Sequence, residues 1–497
     1  MKGNIWLLLP VLFPVAAGIL ILTGKAFRSS RKALLGLFFA GLAGGSALTL
    51  PALWTEGVLT LWRLTDYVSI QLKADGVGKV FAVLTAAVWL IVGIYSVQYM
   101  SHEREEHRFF GFYLIVQGVL LGLDFSANLI TFYVFYELMT LASLPLVLHE
   151  RTKEAVMAGL KYLFYSVAGA FLALFGIFFL TSVCPSLDFV PGGIVDKAMI
   201  GGREGLFLAA VCCMVIGFGT KAGMFPLHGW LPTAHPVAPA PASAVLSGVI
   251  TKSGVLALVR VVYYIAGPEL LAGTWVQQAW MVLSLLTVFM GSMLAYREKV
   301  LKKRLAYSTV SQVSYILFGL SLLNPTAFVG AMAHVVFHSL VKNALFLAAG
   351  AVIFTTGWTK VEQMRGLGKV MPVMLGCYAA VSLSLVGIPP FSGFISKWYL
   401  AQGALASECG AFSFIGPVVL LISALLTAGY LLPLAIDGFF PGADFDGKEL
   451  KERGLLGKEP SWQMLFPMAA LSAGSLLFGC FPGPLLALLG NIGAALF

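Results

Sequence analysis

Apolar windows of about 20 residues recur almost without interruption from Ile5 to the end of this sequence, each long enough to cross a hydrocarbon core about 30 Å thick. That pattern leaves few folds open. In lipid every backbone amide needs a partner within the chain, so the windows read as transmembrane helices rather than as the core of a soluble domain. Charged residues make up 11% of the 497, against roughly 25% in an ordinary soluble domain. The expected fold class is an all-α integral membrane protein.

Windows and polar breaks give about 14 transmembrane spans, near 4–23, 33–53, 76–99, 109–123, 126–148, 159–183, 205–226, 240–265, 276–296, 305–323, 327–355, 371–406 (broken), 413–436 and 463–491. Lys and Arg cluster in the odd-numbered loops, at 25–32, 102–108, 149–154, 297–304, 360–369 and 448–458, about twenty against about five in the even-numbered ones. By the positive-inside rule the odd loops are cytoplasmic and both termini lie on the opposite side. The net charge of +9 is thus spread over many short loops, which does not suit a nucleic-acid-binding patch. The first apolar run lacks a basic leader and a small-residue cleavage site, and is expected to be a retained helix. The six cysteines are scattered through apolar segments without metal-site or disulfide spacing, and read as small core residues.

A charge at mid-membrane costs at least about 2.5–3.5 kcal/mol, so each one needs a reason. The sequence places Glu137, Lys161, Lys221, Lys252, Arg260, His334, His338, Lys342 and Lys397 inside spans, with His228 and Asp437 nearer the ends. Glu137, Lys342 and Lys397 are too deep to reach water, whereas Lys161 and Arg260 have stems long enough to reach an interface. His334, His338 and Lys342 fall at i, i+4 and i+8, one stripe of a helix. That stripe suits a proton relay or helix–helix hydrogen bonds; a metal site would lack a carboxylate or thiolate on the same span.

Two spans are interrupted by proline beside a lysine: 217–232, with Lys221 and Pro226, and 387–400, with Pro389, Pro390 and Lys397. Proline frees a carbonyl, and non-helical backbone at this depth is tolerated only where it lines protein or water. A packing kink accounts for one such break; two, each beside a buried lysine, point to hydrated ion sites in two halves of a transporter. If Glu137 comes within about 7 Å of Lys221, their attraction is roughly 2.4 kcal/mol at an effective dielectric near 20. Separating the two would then alter the lysine's hold on its proton.

The strings 133-YVFYELMTLASLPL-146, 159-GLKYLFYSVAGAF-171, 219-GTKAGMFPLHGWLPTAHPVAPAPASAVLSGVITKSGVLALVR-260, 302-KKRLAYSTVSQVSYILFGL-320, 334-HVVFHSLVKNALF-346 and 387-GIPPFSGFISKW-398 resemble the antiporter-like subunits of respiratory complex I, Mrp-type multisubunit Na+/H+ antiporters and membrane-bound hydrogenases. The resemblance covers about residues 75–436. It implies fourteen helices with two inverted five-helix repeats containing broken helices: N-terminal helices in 1–108, a first repeat in 109–265, a second in 276–436, and a cytoplasmic loop and last helix in 437–497. It further implies that Glu137 and Lys221 form a coupling pair. Lys252 would then pass the proton inward, His334, His338 and Lys342 would continue it, and Lys397 would be the terminal site. Lys161 matches a lysine common in the family, and Lys161 and His228 serve either the pathway or packing. A lysine at 397, with no long lateral helix after the last span, is most similar to the Mrp D-type subunit.

The expected function is therefore a proton-translocating, non-redox subunit of a multisubunit complex in a prokaryotic-type cell membrane, moving H+ with or without Na+ exchange. Its expected partners are other membrane subunits, including further antiporter-like ones, and the lipid bilayer. The sequence has no dinucleotide fingerprint or clustered cysteines, so no cofactor is expected on this chain, and iron–sulfur clusters would belong to partner subunits. The alternatives are a self-contained secondary transporter, which would act alone, and a structural scaffold, which would need none of the buried charges.

Overall fold

The computed structural model describes residues 4–65 and 68–497, most of them helical. Its principal helices are α1 (Leu9–Thr23), α2 (Arg31–Leu53), α3 (Gly76–Tyr99), α4 (Glu106–Asp124), α5 (Leu129–Val147), α6 (Lys153–Val183), α7 (Glu204–Ala222) and α8 (Leu231–Val237). They continue with α9 (Ala240–Ala266), α10 (Trp275–Arg297), α11 (Leu301–Ser321), α12 (Pro325–Thr356) and α13 (Pro372–Val386). The last are α14 (Ser392–Leu405), α15 (Phe412–Phe439), α16 (Trp462–Cys480) and α17 (Gly483–Ala494). A hairpin of β1 (Leu59–Arg63) and β2 (Ser69–Leu72) joins α2 to α3, pairing Leu59 with Leu72 and Arg63 with Ser69 across a bulge between Thr60 and Trp62.

Polar residues at the helix starts absorb backbone donors that lipid cannot. Side chains of Asp75, Asn128, Thr152 and Asn324 accept from the amides three residues on, starting α3, α5, α6 and α12. Among the described residues, ten helices are long and apolar enough to cross a membrane by length and composition. Fourteen apolar windows exceed this number for physical reasons. Helices α1 and α13 have only 15 residues each, α4 carries Glu106, Arg108 and Asp124, and α11 is rich in Ser, Thr and Gln.

Depth within the bundle differs sharply among these helices. The most apolar stretch of α9 is 100% buried and that of α12 94%, against 33% for α2 and α16, so α9 and α12 form the central pair. They carry Lys252 and Arg260 on α9 and His334, His338 and Lys342 on α12, which places these five in protein and away from lipid.

The two predicted breaks are present and end alike. After α7, Gly223 (φ +82°) takes the left-handed conformation, with Met224 N–H donating to the Gly219 carbonyl (2.8 Å) and Gly223 N–H to Thr220 (3.1 Å). After α13, Gly387 (φ +98°) repeats this, with Ile388 donating to Leu383 (3.1 Å) and Gly387 to Ser384 (3.0 Å). This is the Schellman closure, which glycine adopts without steric cost. The lysines do not occupy equivalent places: Lys221 lies before its break and Lys397 after its own.

Arg260 departs from the sequence expectation. It is fully buried rather than reaching an interface, with Nη2 donating to Oδ1 of Asp75 at 2.9 Å and Nη1 bonded to Oδ2. Its guanidinium carbon also lies 4.6 Å from the Phe189 ring centroid and 4.7 Å from that of Tyr264. Asp75 is the cap of α3, so one carboxylate starts a helix and neutralises a buried cation at once.

Candidate functional site: a line of buried titratable groups

Lys221 sits in the last turn of α7, where the carbonyl end of the helix favours a cation. Its side chain is fully buried, and Nζ donates to Thr140 Oγ1 on α5 (2.9 Å) and to Tyr162 OH (3.0 Å) and Ser166 Oγ (2.9 Å) on α6. All three donors of the ammonium are thereby used. The rings of Tyr162, Tyr136 and Trp230 surround it with centroids at 4.5, 5.7 and 5.9 Å. The break supplies part of this cage, since Trp230 Nε1 donates back to the Thr220 carbonyl at 2.9 Å.

Glu137 and Lys221 act on one another through charge without a direct ion pair among the described residues, which a coupling pair at a distance does not require. Hydroxyls occupy the lysine, and Glu137 lies on the half-buried flank of α5, beside exposed Val134, Leu138 and Leu141. Its Oε1 is buried without a protein partner among the described residues, and Lys221 is the charge that acts on it. Lys161 donates to Thr233 Oγ1 on α8 at 3.0 Å, and His228 stacks on Phe225 at 5.9 Å between centroids. Both flank the break, and neither is bonded to Lys221.

Lys252 lies near the middle of α9, just after the π-helical turn Leu246–Ile250. That turn leaves the Ser247 carbonyl available, and it accepts from Lys252 Nζ (2.6 Å) and from Thr251 Oγ1 (2.8 Å). Lys252 Nζ also lies 2.8 Å from His338 Nδ1 on α12. One turn earlier on α12, His334 stacks on His338 at 5.7 Å, as the helical spacing predicts. His334 Nδ1 bonds Ser396 Oγ on α14 at 2.9 Å, and its ring stacks on Tyr315 at 5.7 Å. Lys397 follows, its amine 5.1 Å from the Tyr315 centroid and donating to the Leu385 (2.6 Å) and Val386 (2.9 Å) carbonyls at the end of α13. Lys342, the third member of the stripe, donates to the Leu305 carbonyl at 3.1 Å and stands off this line.

Two groups in the same region are absent from the sequence reading. His235, on α8, is fully buried, stacks on Phe346 at 4.7 Å, and has neither ring nitrogen bonded to protein among the described residues. The charges that act on it are Lys302, Lys342 and Lys252. Lys302, counted in the sequence as a loop charge, is in fact buried at the start of α11, donating to the Pro236 carbonyl at 3.2 Å and also to Ala238. Glu103, outside the spans, is near Lys302; burial first, and Glu150 second, hold its carboxyl above the usual range. The signal for His235 was present within the broken span itself, in the same run as Lys221 and His228.

The described residues therefore bring Lys252, His338, His334, Tyr315, Ser396 and Lys397 into one connected chain, with His235 and Lys302 on one side of it. Lys221 and Glu137 form a separate cluster across α7. Each member carries a group that can donate or accept a hydrogen bond, and the lysines, histidines, tyrosine and glutamate are titratable.

The family described as NADH:quinone oxidoreductase/Mrp antiporter, TM, matches residues 126–423, and that described as NADH-Ubiquinone oxidoreductase (complex I), chain 5 N-terminus, matches residues 65–110. The NADH-quinone oxidoreductase subunit N of Desulforudis audaxviator is 33% identical over 491 residues, spanning 95% of this chain and 94% of that protein. The D-type subunit of the Na(+)/H(+) antiporter of Bacillus subtilis is 30% identical over 485 residues, 96% of this chain and 94% of that one. A chain in the Mrp complex structure from Dietzia sp. DQ12-45-1b superposes with a TM-score of 0.84 at 24% identity, covering 100% of this chain and 98% of that chain, which shows the shared fold. With its buried lysines and histidines carried on that fold, the chain belongs to the NADH:quinone oxidoreductase/Mrp antiporter transmembrane family.

Proposed function

We propose that this chain is a proton-translocating subunit of a multisubunit membrane complex, in which Lys252 and His338 form the central proton-exchange pair. The observation that carries this reading is the unbroken run of contacts from Lys252 through His338, His334 and Tyr315 to Lys397. The helices that carry it hold buried polar atoms without protein partners among the described residues: Nε2 of His334 and His338, Ser339 Oγ and Asn343 Oδ1 on α12, and both amide atoms of Gln312 on α11. Water ordinarily satisfies such groups, and a wet corridor is what proton transfer needs.

The loops rich in Lys and Arg face the cytoplasm in this reading, so Glu103, Glu150 and Lys302 form a cytoplasmic mouth. His235 links that mouth to Lys252. Glu137, Lys221, Lys161 and His228 make the second cluster, and Lys397 is the terminal site. Glu137 and Lys397 are both half-buried, with exposed Leu138 and Trp398 beside them, as expected of a subunit that stands between others. Moving one charge against 100 mV costs about 2.3 kcal/mol, which a redox or Na+-exchanging partner has to supply.

The test uses the complex purified in mild detergent and reconstituted in proteoliposomes, with a pH-sensitive dye inside. Lys252→Met is expected to lower proton transport at least tenfold while the complex still assembles. Unchanged transport overturns the reading. Co-purifying subunits identify the energy source; transport by the chain on its own would favour a self-contained transporter.

A further inference from the structure

An apolar cavity of about 400 Å³ opens on the side of the bundle away from the lysine line. The end of α2 (Leu53, Trp54), one face of α3 and the middle of α12 (Val336, Leu340) form its walls, and Phe478, Leu485 and Leu488 close it. Along α3, beyond Gly76 and Lys79 at the open end, the apolar lining runs from Val80 to Ile91, roughly 17 Å at 1.5 Å per residue. That is close to the depth of one leaflet, about half of a 30 Å hydrocarbon core. The groove is thus about as long as a lipid acyl chain and lies parallel to one.

Its open end is charged. Lys79 lines the groove and makes no ion pair or side-chain hydrogen bond among the described residues. It lies in the first turn of α3, where the helix already presents partial positive charge, so a lysine is disfavoured unless an anion sits beside it. The described residues offer none: the adjacent carboxylate, Asp75, is committed to Arg260 and to the Gly78 amide. A second, more polar cavity of about 280 Å³ adjoins at Gly76 and Leu488, and carries exposed Lys73 and Asn491. Lys73 is likewise without an ion pair among the described residues. With Asp75 and Arg260 cancelling, two unpaired cations flank the mouth of an acyl-sized groove.

We propose that this groove holds an anionic phospholipid, one acyl chain lying along α3 between α2, α12 and α17 and the phosphate held by Lys79 and Lys73. Charge complementarity selects an acidic headgroup over a zwitterionic one, and the unbroken apolar lining selects a hydrocarbon chain. The arrangement is independent of the proton line and of the proposed transport. A lipid in this place packs against Val336 and Leu340, on the helix that carries His334 and His338.

Native mass spectrometry of the purified complex, delipidated and then titrated with phosphatidylglycerol or phosphatidylcholine, tests it. Phosphatidylglycerol is expected to bind at least tenfold more tightly. Lys79→Gln together with Lys73→Gln should erase that preference, and Ala87→Phe, which fills the groove, should remove binding of both lipids there. Equal affinity for the two lipids, or a preference unaltered by the lysine substitutions, overturns the proposal. So does a photocrosslinker at Val83 that captures another subunit of the complex instead of lipid, since the groove would then be a protein contact.

Discussion

Lys252 and His338 share one hydrogen bond: Nζ of the lysine on α9 stands 2.8 Å from Nδ1 of the histidine on α12. The contact needs one proton between the two atoms: an ammonium donates to an unprotonated Nδ1, or a protonated Nδ1 donates to the neutral amine. The two groups therefore titrate as a pair, and the state of one fixes what the other can do. His338→Ala leaves the amine with the Ser247 carbonyl alone. Proton transport by the reconstituted complex is expected to fall at least about tenfold, and up to the roughly 100-fold or more typical of a lost proton-transfer group where that step limits the rate. His338→Asn, which keeps an acceptor at the Nδ1 position without a titratable proton, should hold the fold yet transport no better than the alanine variant. Full activity in the asparagine variant would show that the pair only positions helices.

Lys221 tests the hydroxyl cage. Tyr162→Phe deletes one of three acceptors at 3.0 Å and also frees Ser143, whose hydroxyl lies 2.7 Å from the same oxygen. Such a neutral-to-charged hydrogen bond is worth about 1.5–3 kcal/mol. Transport is expected to drop several-fold, with Lys221→Ala giving a deeper loss. If the phenylalanine variant matched the wild type, the cage would have no role in holding the proton on the amine.

Much of this was legible in the sequence because lipid makes exceptions conspicuous. A charge in an apolar window, or a proline beside it, stands out without any structure, and Lys221, Lys252, His334, His338 and Lys397 were found in that way. What escaped was charge that composition gives to another class. Lys302 reads as one basic loop residue among several, yet α11 begins at Leu301 and draws it under the Pro236 and Ala238 carbonyls. Asp75 reads as a helix cap, which it is, and nothing local reveals that Arg260, 185 residues away, closes on it. His235 follows a break, where helical spacing no longer says which way a side chain points. The hydroxyl cage around Lys221 is tertiary as well, since Thr140 comes from α5 and Tyr162 and Ser166 from α6.

The Asp75–Arg260 pair predicts a stability effect. Asp75→Asn strands a fully buried guanidinium, and breaking such a pair from one side costs about 3–5 kcal/mol. The variant should melt at a markedly lower temperature in detergent and accumulate less in membranes. Adding Arg260→Met removes the stranded charge, so the double variant is expected to recover part of the loss. A double variant less stable than Asp75→Asn would mean that Arg260 acts chiefly through its stacking on Phe189 and Tyr264.

His149 lies in the loop after α5, buried against Phe109 at 5.6 Å between ring centroids, with Nε2 at 3.0 Å from the Arg104 carbonyl. Burial first, then the charge of Arg108, lowers its pKa from 6.5 to about 4. The unfolded imidazole binds a proton near 6.5. Between these values the unfolded loop holds more protons than the folded one, so stability is complete above about 6.5 and is lost as pH falls towards 4. By linkage the whole window is worth at most about 3 kcal/mol. Hydrogen exchange at residues 102–108 and 148–152 should therefore quicken, after correction for intrinsic rates, as pH drops from 7 to 5. His149→Gln, which keeps a donor at the Nε2 position for the Arg104 carbonyl and has no proton to gain, should flatten that dependence. A profile just as steep in the glutamine variant would assign it instead to His107, whose imidazole is likewise held below its usual range, by burial first and then by Arg28.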